Sequence, residues 1–104
     1  MTVSRRDFEE LVQRALDALP PHIAERLENV AVVVEEENPE EPHLFGLFHE
    51  EPYMPAKISI YRRPLERSFP DREDLEREIR ITVLHELGHY FGLDEDEIAE
   101  LGYE

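Results

Sequence analysis

With 104 residues, 40% of them apolar and 36% charged, the chain can build one small core and reads as a single domain, residues 1–104. Its formal charge of −15 argues against duplex nucleic acid and anionic membranes as partners, since both are bound chiefly through Lys and Arg. There is no cysteine, so disulfides and thiolate metal sites are excluded, and any metal must be held by His and carboxylate.

The first stretch, MTVSRRDFEE, lacks the apolar centre of a secretory signal. No run approaches the roughly 18 apolar residues of a membrane span. A cytoplasmic location is the resulting expectation. Ser4 and Asp7 form a box-like cap, and Phe8, Leu11, Val12, Ala15, Leu16 and Leu19 follow at helical spacing, predicting an amphipathic helix over 5–19. Pro20 and Pro21 stop it, and Pro21 suits the first turn of a short second helix over 22–27.

Val30 to Val34, VAVVV, is a continuous β-branched run and predicts a strand buried on both faces. After a polar loop, Leu44, Phe45, Leu47 and Phe48 around Gly46 predict a second strand or a tight bend. Residues 49–55, broken by Pro52 and Pro55, read as loop. KISIYR alternates Ile58 and Ile60 with Lys57, Ser59 and Tyr61, which predicts a half-exposed strand, and Pro64 just after it suits a sheet edge. Arg62, Arg63, Arg67 and Arg72 stand out in an acidic chain; pairing with nearby Glu is the plain reading, and reception of a substrate carboxylate the other.

Pro70 and Asp71 introduce a long helix, with Asp71, Glu73 and Asp74 in its first turn, favourable for the helix dipole. Leu75, Ile79, Val83, Leu84, Leu87 and Phe91 make its apolar face, and Gly92 is placed to end it in a left-handed conformation. A short last helix is expected over 94–101. His22, His43 and His49 are scattered and have no ligand spacing.

The chemistry concentrates in Thr82 to Glu97, TVLHELGHYFGLDEDE. His85 and His89, four apart, share one helix face with Cβ atoms about 5–6 Å apart. Both imidazoles can therefore reach one metal at about 2.0–2.1 Å. Glu86 leans toward the same face, where it can take a proton from a metal-bound water. A catalytic zinc site keeps three protein ligands and one open position. If the chain turns back at Gly92, Glu95 fits the third position best on spacing. Asp94 is the alternative, with capping of the last helix as its plainer role; Asp96 and Glu97 fit less well.

HELGHYFGLDE resembles the zincin metallopeptidases, and the longer pattern H-E-x-x-H-x-x-G-x-x-acid resembles the Asp-zincins. Together with IxxYRRPLE upstream, it is similar to a family of short bacterial zincin-like metallopeptidases. The resemblance covers residues 30–104, most specifically 57–63 and 82–97. It implies a minimal zincin-like α+β fold: a small mixed sheet, an active-site helix and a further C-terminal helix. It also implies His85 and His89 as zinc ligands, Glu86 as general base, and the acid after Gly92 as third ligand.

Two departures from the family pattern stand out. Glu95 occupies the position where Asp-zincins carry Asp, and no methionine follows the motif to form a Met-turn. Tyr103 is a candidate to fill that floor or support the site, and Tyr103, Tyr90 and His49 are candidate oxyanion donors. Zincins hold peptide along an edge strand, a role expected here of Lys57–Tyr61. The expected function is zinc-dependent hydrolysis of a peptide or protein substrate, with a homodimer as one way to widen a small cleft. The alternative is a catalytically silent zincin-fold module that binds metal or a protein partner.

Overall fold

Ser4 opens the first helix, α1 (Arg5–Asp17), its Oγ accepting the Asp7 N–H at 3.1 Å, and Phe8, Leu11, Val12 and Ala15 form the buried stripe. The computed structural model describes residues 3–19, 21–27 and 29–96. A short α2 (Pro21–Ala24) runs into a 3-10 turn at Glu25–Leu27, close to the expected second helix. Three strands follow, β1 (Val30–Glu35), β2 (Gly46–His49) and β3 (Ala56–Tyr61), then α3 (Arg62–Ser68) and α4 (Arg72–Tyr90). The architecture is α+β, as expected.

The sheet has the order β1-β3-β2. β1 runs parallel to β3, from Val30 opposite Ala56 to Glu35 opposite Tyr61. β2 runs antiparallel to β3, from Gly46 opposite Ile60 to His49 opposite Lys57. The expected positions of two strands are thereby exchanged. VAVVV is an edge strand whose valines are only half-buried and whose Ala31 is exposed. KISIY is the central strand, with Ile58, Ser59, Ile60 and Tyr61 all buried.

The reason is local. Ser59 is small enough to vanish between its neighbours. Lys57 pairs with Glu35 at 3.0 Å, and the Tyr61 hydroxyl accepts a hydrogen bond from Asn38. Alternating polarity thus marks a central strand whose outer face is sealed by side chains rather than by a second layer.

Helix α3 is not foreshadowed by the sequence pattern, in which Pro64 suits a strand edge. Pro64 sits in the first turn of α3, where its missing N–H leaves no helical bond unmade. The YRRPLE stretch has a structural task here. Glu36, just past β1, receives Arg62 (3.1 Å), Arg5 (2.9 Å) and Arg63 (3.5 Å), and Arg62 also reaches Glu66 and the Val3 carbonyl. Burial pushes the Glu36 carboxyl upward, but the three guanidiniums outweigh it and hold the group below the usual carboxylate range. The cluster ties the ends of β1 and β3 to the start of α1. Arg67 donates instead to the Pro42 carbonyl.

Asp71 caps α4, its carboxylate accepting the N–H groups of Glu73 and Asp74, a feature worth about 1 kcal/mol. Leu75, Ile79, Val83 and Leu87, one turn apart, pack with Phe8 and Leu11 of α1 against Ile58 and Ile60 of β3. Each such fully buried side chain contributes roughly 1.5–3 kcal/mol. This packing places α4 across β2 and β3, with its last two turns beside the β2 edge. Among the described residues no helix is long and apolar enough to cross a membrane.

Candidate metal centre

Helix α4 carries His85, Glu86 and His89 in its final turns and stops at a glycine. The Gly92 N–H bonds to the His89 carbonyl and the Leu93 N–H to the Gly88 carbonyl, both at 2.9 Å, with Gly92 at φ 84°. This paired closure with a left-handed residue is a Schellman turn. No atom crowds the position where a Gly92 Cβ would stand, so the backbone angle alone calls for glycine. The chain consequently doubles back, and Glu95 returns to the histidines.

The meeting is close. His89 Nε2 lies 2.8 Å from Glu95 Oε1, His85 Nε2 lies 3.2 Å from Glu95 Oε2, and the two Nε2 atoms are 3.2 Å apart. All the candidate ligand atoms fall within 4.8 Å of one another. Tetrahedral donors at about 2.0–2.1 Å from zinc stand roughly 3.3 Å apart. The two nitrogens and one carboxylate oxygen match that spacing, and Glu95, largely exposed, leaves a side open to solvent. The donor set therefore fits a zinc ion with a free position. Asp94, the sequence alternative, is exposed and lies outside this group of three.

Glu86 sits beneath β2, beside the histidines. It is buried, and its Oε1 accepts the Phe48 N–H at 2.9 Å. Burial pushes the Glu86 carboxyl above the usual carboxylate range; the His85 and His89 imidazoles and the Phe48 N–H pull against it, and Glu95 adds a further push upward. A carboxylate so placed is a better proton acceptor than an exposed one.

The approach of β2 to α4 depends on Gly46. A Cβ there would stand 2.7 Å from Thr82 Cγ2 and 3.2 Å from Glu86 Cγ. Only a glycine lets the strand lie this low on the helix. Thr82 is itself held, its Oγ1 donating to the Glu78 carbonyl at 2.7 Å.

The family described as zincin-like metallopeptidase matches residues 27–103, a span holding the sheet, α3, α4 and the turn to Glu95. The chain belongs to the zincin-like metallopeptidase family. Among solved structures it is similar to a conserved hypothetical protein from Thermus thermophilus, with a TM-score of 0.63 and 23% identity over 86% of this chain and 94% of that one. That likeness concerns the fold. No curated protein sequence matches the chain.

Within this zincin-like fold the remaining expected positions separate. Tyr103 lies outside the described residues, as does most of the expected last helix, of which Glu95 and Asp96 are seen as helical. Tyr90 packs its ring edge-on against Phe48, centroids 5.7 Å apart. His49 pairs across the sheet with Lys57, and strand alternation turns it to the face opposite Gly46 and Phe48, away from Glu86. The edge strand at the zincin-like site is β2, not Lys57–Tyr61, which is hydrogen-bonded on both sides.

Three residues near the site have no role evident from the sequence pattern: Gly46, Phe48 through its N–H, and Glu78, whose carbonyl holds Thr82. Gly46 between apolar residues gave a signal of close backbone approach. Glu78 shares a helix stripe with Thr82 and His85, a signal legible from periodicity. The Phe48 N–H has no sequence signature.

Proposed function

We propose that the chain is a zinc-dependent peptidase in which His85, His89 and Glu95 hold the metal and Glu86 is the general base. The observation that supports this most is the convergence of three donor atoms at tetrahedral spacing beside a buried carboxylate of raised proton affinity. When bound, zinc lowers the pKa of a coordinated water to about 7 and polarises a carbonyl oxygen.

The chain's own residues supply the rest. Glu86 accepts the proton of the attacking water and delivers it to the leaving amine. The Phe48 N–H fixes the Glu86 carboxyl on one oxygen and leaves the other for this exchange. Because Phe48 donates sideways to Glu86, the edge of β2 faces the site, and an extended peptide can pair along it. The small sheet offers little further wall, so a homodimer remains part of the proposal as a way to enclose substrate.

The test is a mixed peptide library incubated with protein carrying one equivalent of zinc and read by mass spectrometry. Cleavage is expected, is lost on chelation, and returns when zinc is restored. Stoichiometric zinc without any cleavage would leave a metal-binding or protein-interaction module on the zincin scaffold.

A further inference from the structure

We infer that a groove running from His85 and Glu86 back along α4 receives a lysine or arginine side chain of the substrate beside the scissile bond, with Glu78 taking its charge. This rests on the peptidase reading above and names the substrate class for it. The groove has a volume of about 440 Å³ and lies between the segment leading into β2 and the helix. His85 and Glu86 line one end, Leu44, Phe45 and Ile81 give apolar walls, and Glu78 lines it further up the helix.

Two lengths agree. Glu78 is about two turns before His85, so the two positions are ~10 Å apart along the axis at 1.5 Å per residue. A lysine or arginine entering near the reacting carbonyl spans much of that distance, laying its methylene stem on Leu44 and Ile81 with its charge near the Glu78 carboxylate. Shorter side chains leave the far end empty.

Charge points the same way. Glu78 is half-buried, and among the described residues its carboxylate makes no ion pair, although ten arginines are present in the chain. Its backbone carbonyl is occupied by Thr82, which holds this turn of the helix but leaves the carboxylate unspent. The carboxylates lining the groove are Glu78 and Glu86; His43 and His85 contribute imidazoles. An acidic substrate side chain meets two carboxylates there. A net charge of −15 also favours encounter with basic peptides.

The experiment compares peptides that differ only in the residues flanking the cleaved bond: arginine, lysine, norleucine or glutamate. Wild-type protein with zinc is expected to favour arginine over norleucine in kcat/KM by roughly tenfold, and Glu78→Gln to bring the ratio near one. Glu78→Lys is expected to turn the preference toward glutamate. Zinc content and Tm are measured for each variant, so that a folding defect is seen separately. A second arm measures Kd for the same peptides on zinc-loaded Glu86→Gln protein, with and without Glu78→Gln, and the same tenfold change is expected.

Cleavage with a preference that Glu78→Gln does not move overturns this inference and leaves the peptidase reading standing. Absence of cleavage of every peptide overturns the peptidase reading instead, and the Kd arm then decides whether Glu78 selects basic side chains.

Discussion

Glu86→Gln is expected to lower peptide hydrolysis by roughly 10²–10⁴-fold while one zinc per chain is retained. Glutamine keeps the carbonyl oxygen that accepts the Phe48 N–H, so the side chain stays in place and only its capacity to take a proton is lost. Hydrolysis by the variant at the wild-type rate would remove Glu86 as the base.

The same substitution has an opposite consequence for stability. Burial raises the Glu86 carboxyl above its ordinary value of 4.5, so folding favours its protonated form. The stability this confers is fully present below the unfolded-state pKa and is lost as pH rises through the folded-state pKa. As pH rises the metal-free wild type therefore loses this contribution, whereas Glu86→Gln has no titrating group there. In chelator, the variant is expected to be more stable by about 1 kcal/mol at neutral pH, with the advantage fading toward pH 4. Denaturant titrations at the two pH values measure this. A metal-free variant less stable than wild type at neutral pH would contradict it.

Gly46→Ala is expected to cost about 1–3 kcal/mol and to depress activity beyond what the loss of stability explains. The added methyl would stand 2.7 Å from Thr82 Cγ2 and 3.3 Å from the Ser59 carbonyl oxygen. Thr82 cannot swing aside without giving up its bond to the Glu78 carbonyl, so β2 must rise from the helix. That movement draws the Phe48 N–H away from Glu86. Thr82→Ser removes the opposing methyl and keeps the hydroxyl. In the double variant much of the lost stability is expected to return, with a coupling energy of about 1 kcal/mol. Strict additivity of the two substitutions would show that the Gly46–Thr82 contact does not set the strand height.

Much of the site was legible because it is local. A four-residue spacing on one helix, a glycine that must end it and an acid three residues later are facts of short-range geometry, and His85, His89 and Glu95 meet as that geometry suggests. Spacing already favours Glu95 over Asp94, and the turn at Gly92 brings Glu95 into the donor group.

The sheet was harder for a physical reason. Strand position depends on what covers each face, and the sequence shows only which side chains alternate. VAVVV has the composition of an interior strand, yet it lies at the edge, its valines half-buried with Val30, Val32 and Val34 against the core. KISIY has the alternation of an edge, yet Lys57–Glu35 and Asn38–Tyr61 close its polar face. The free edge of the sheet was misplaced in consequence. Helix α3 was hidden because a proline tolerated in a first turn looks the same in sequence as one that ends a strand.

Three side chains, from one helix and the turn after it, are proposed to make the zinc site. Metal content and affinity, measured by dialysis against buffered zinc at neutral pH, test it most directly. One zinc per chain is predicted for wild type and Asp94→Asn, with binding lost in His89→Ala and weakened in Glu95→Gln. No stoichiometric zinc in the wild type, or zinc retained equally by His89→Ala, would exclude this metal site.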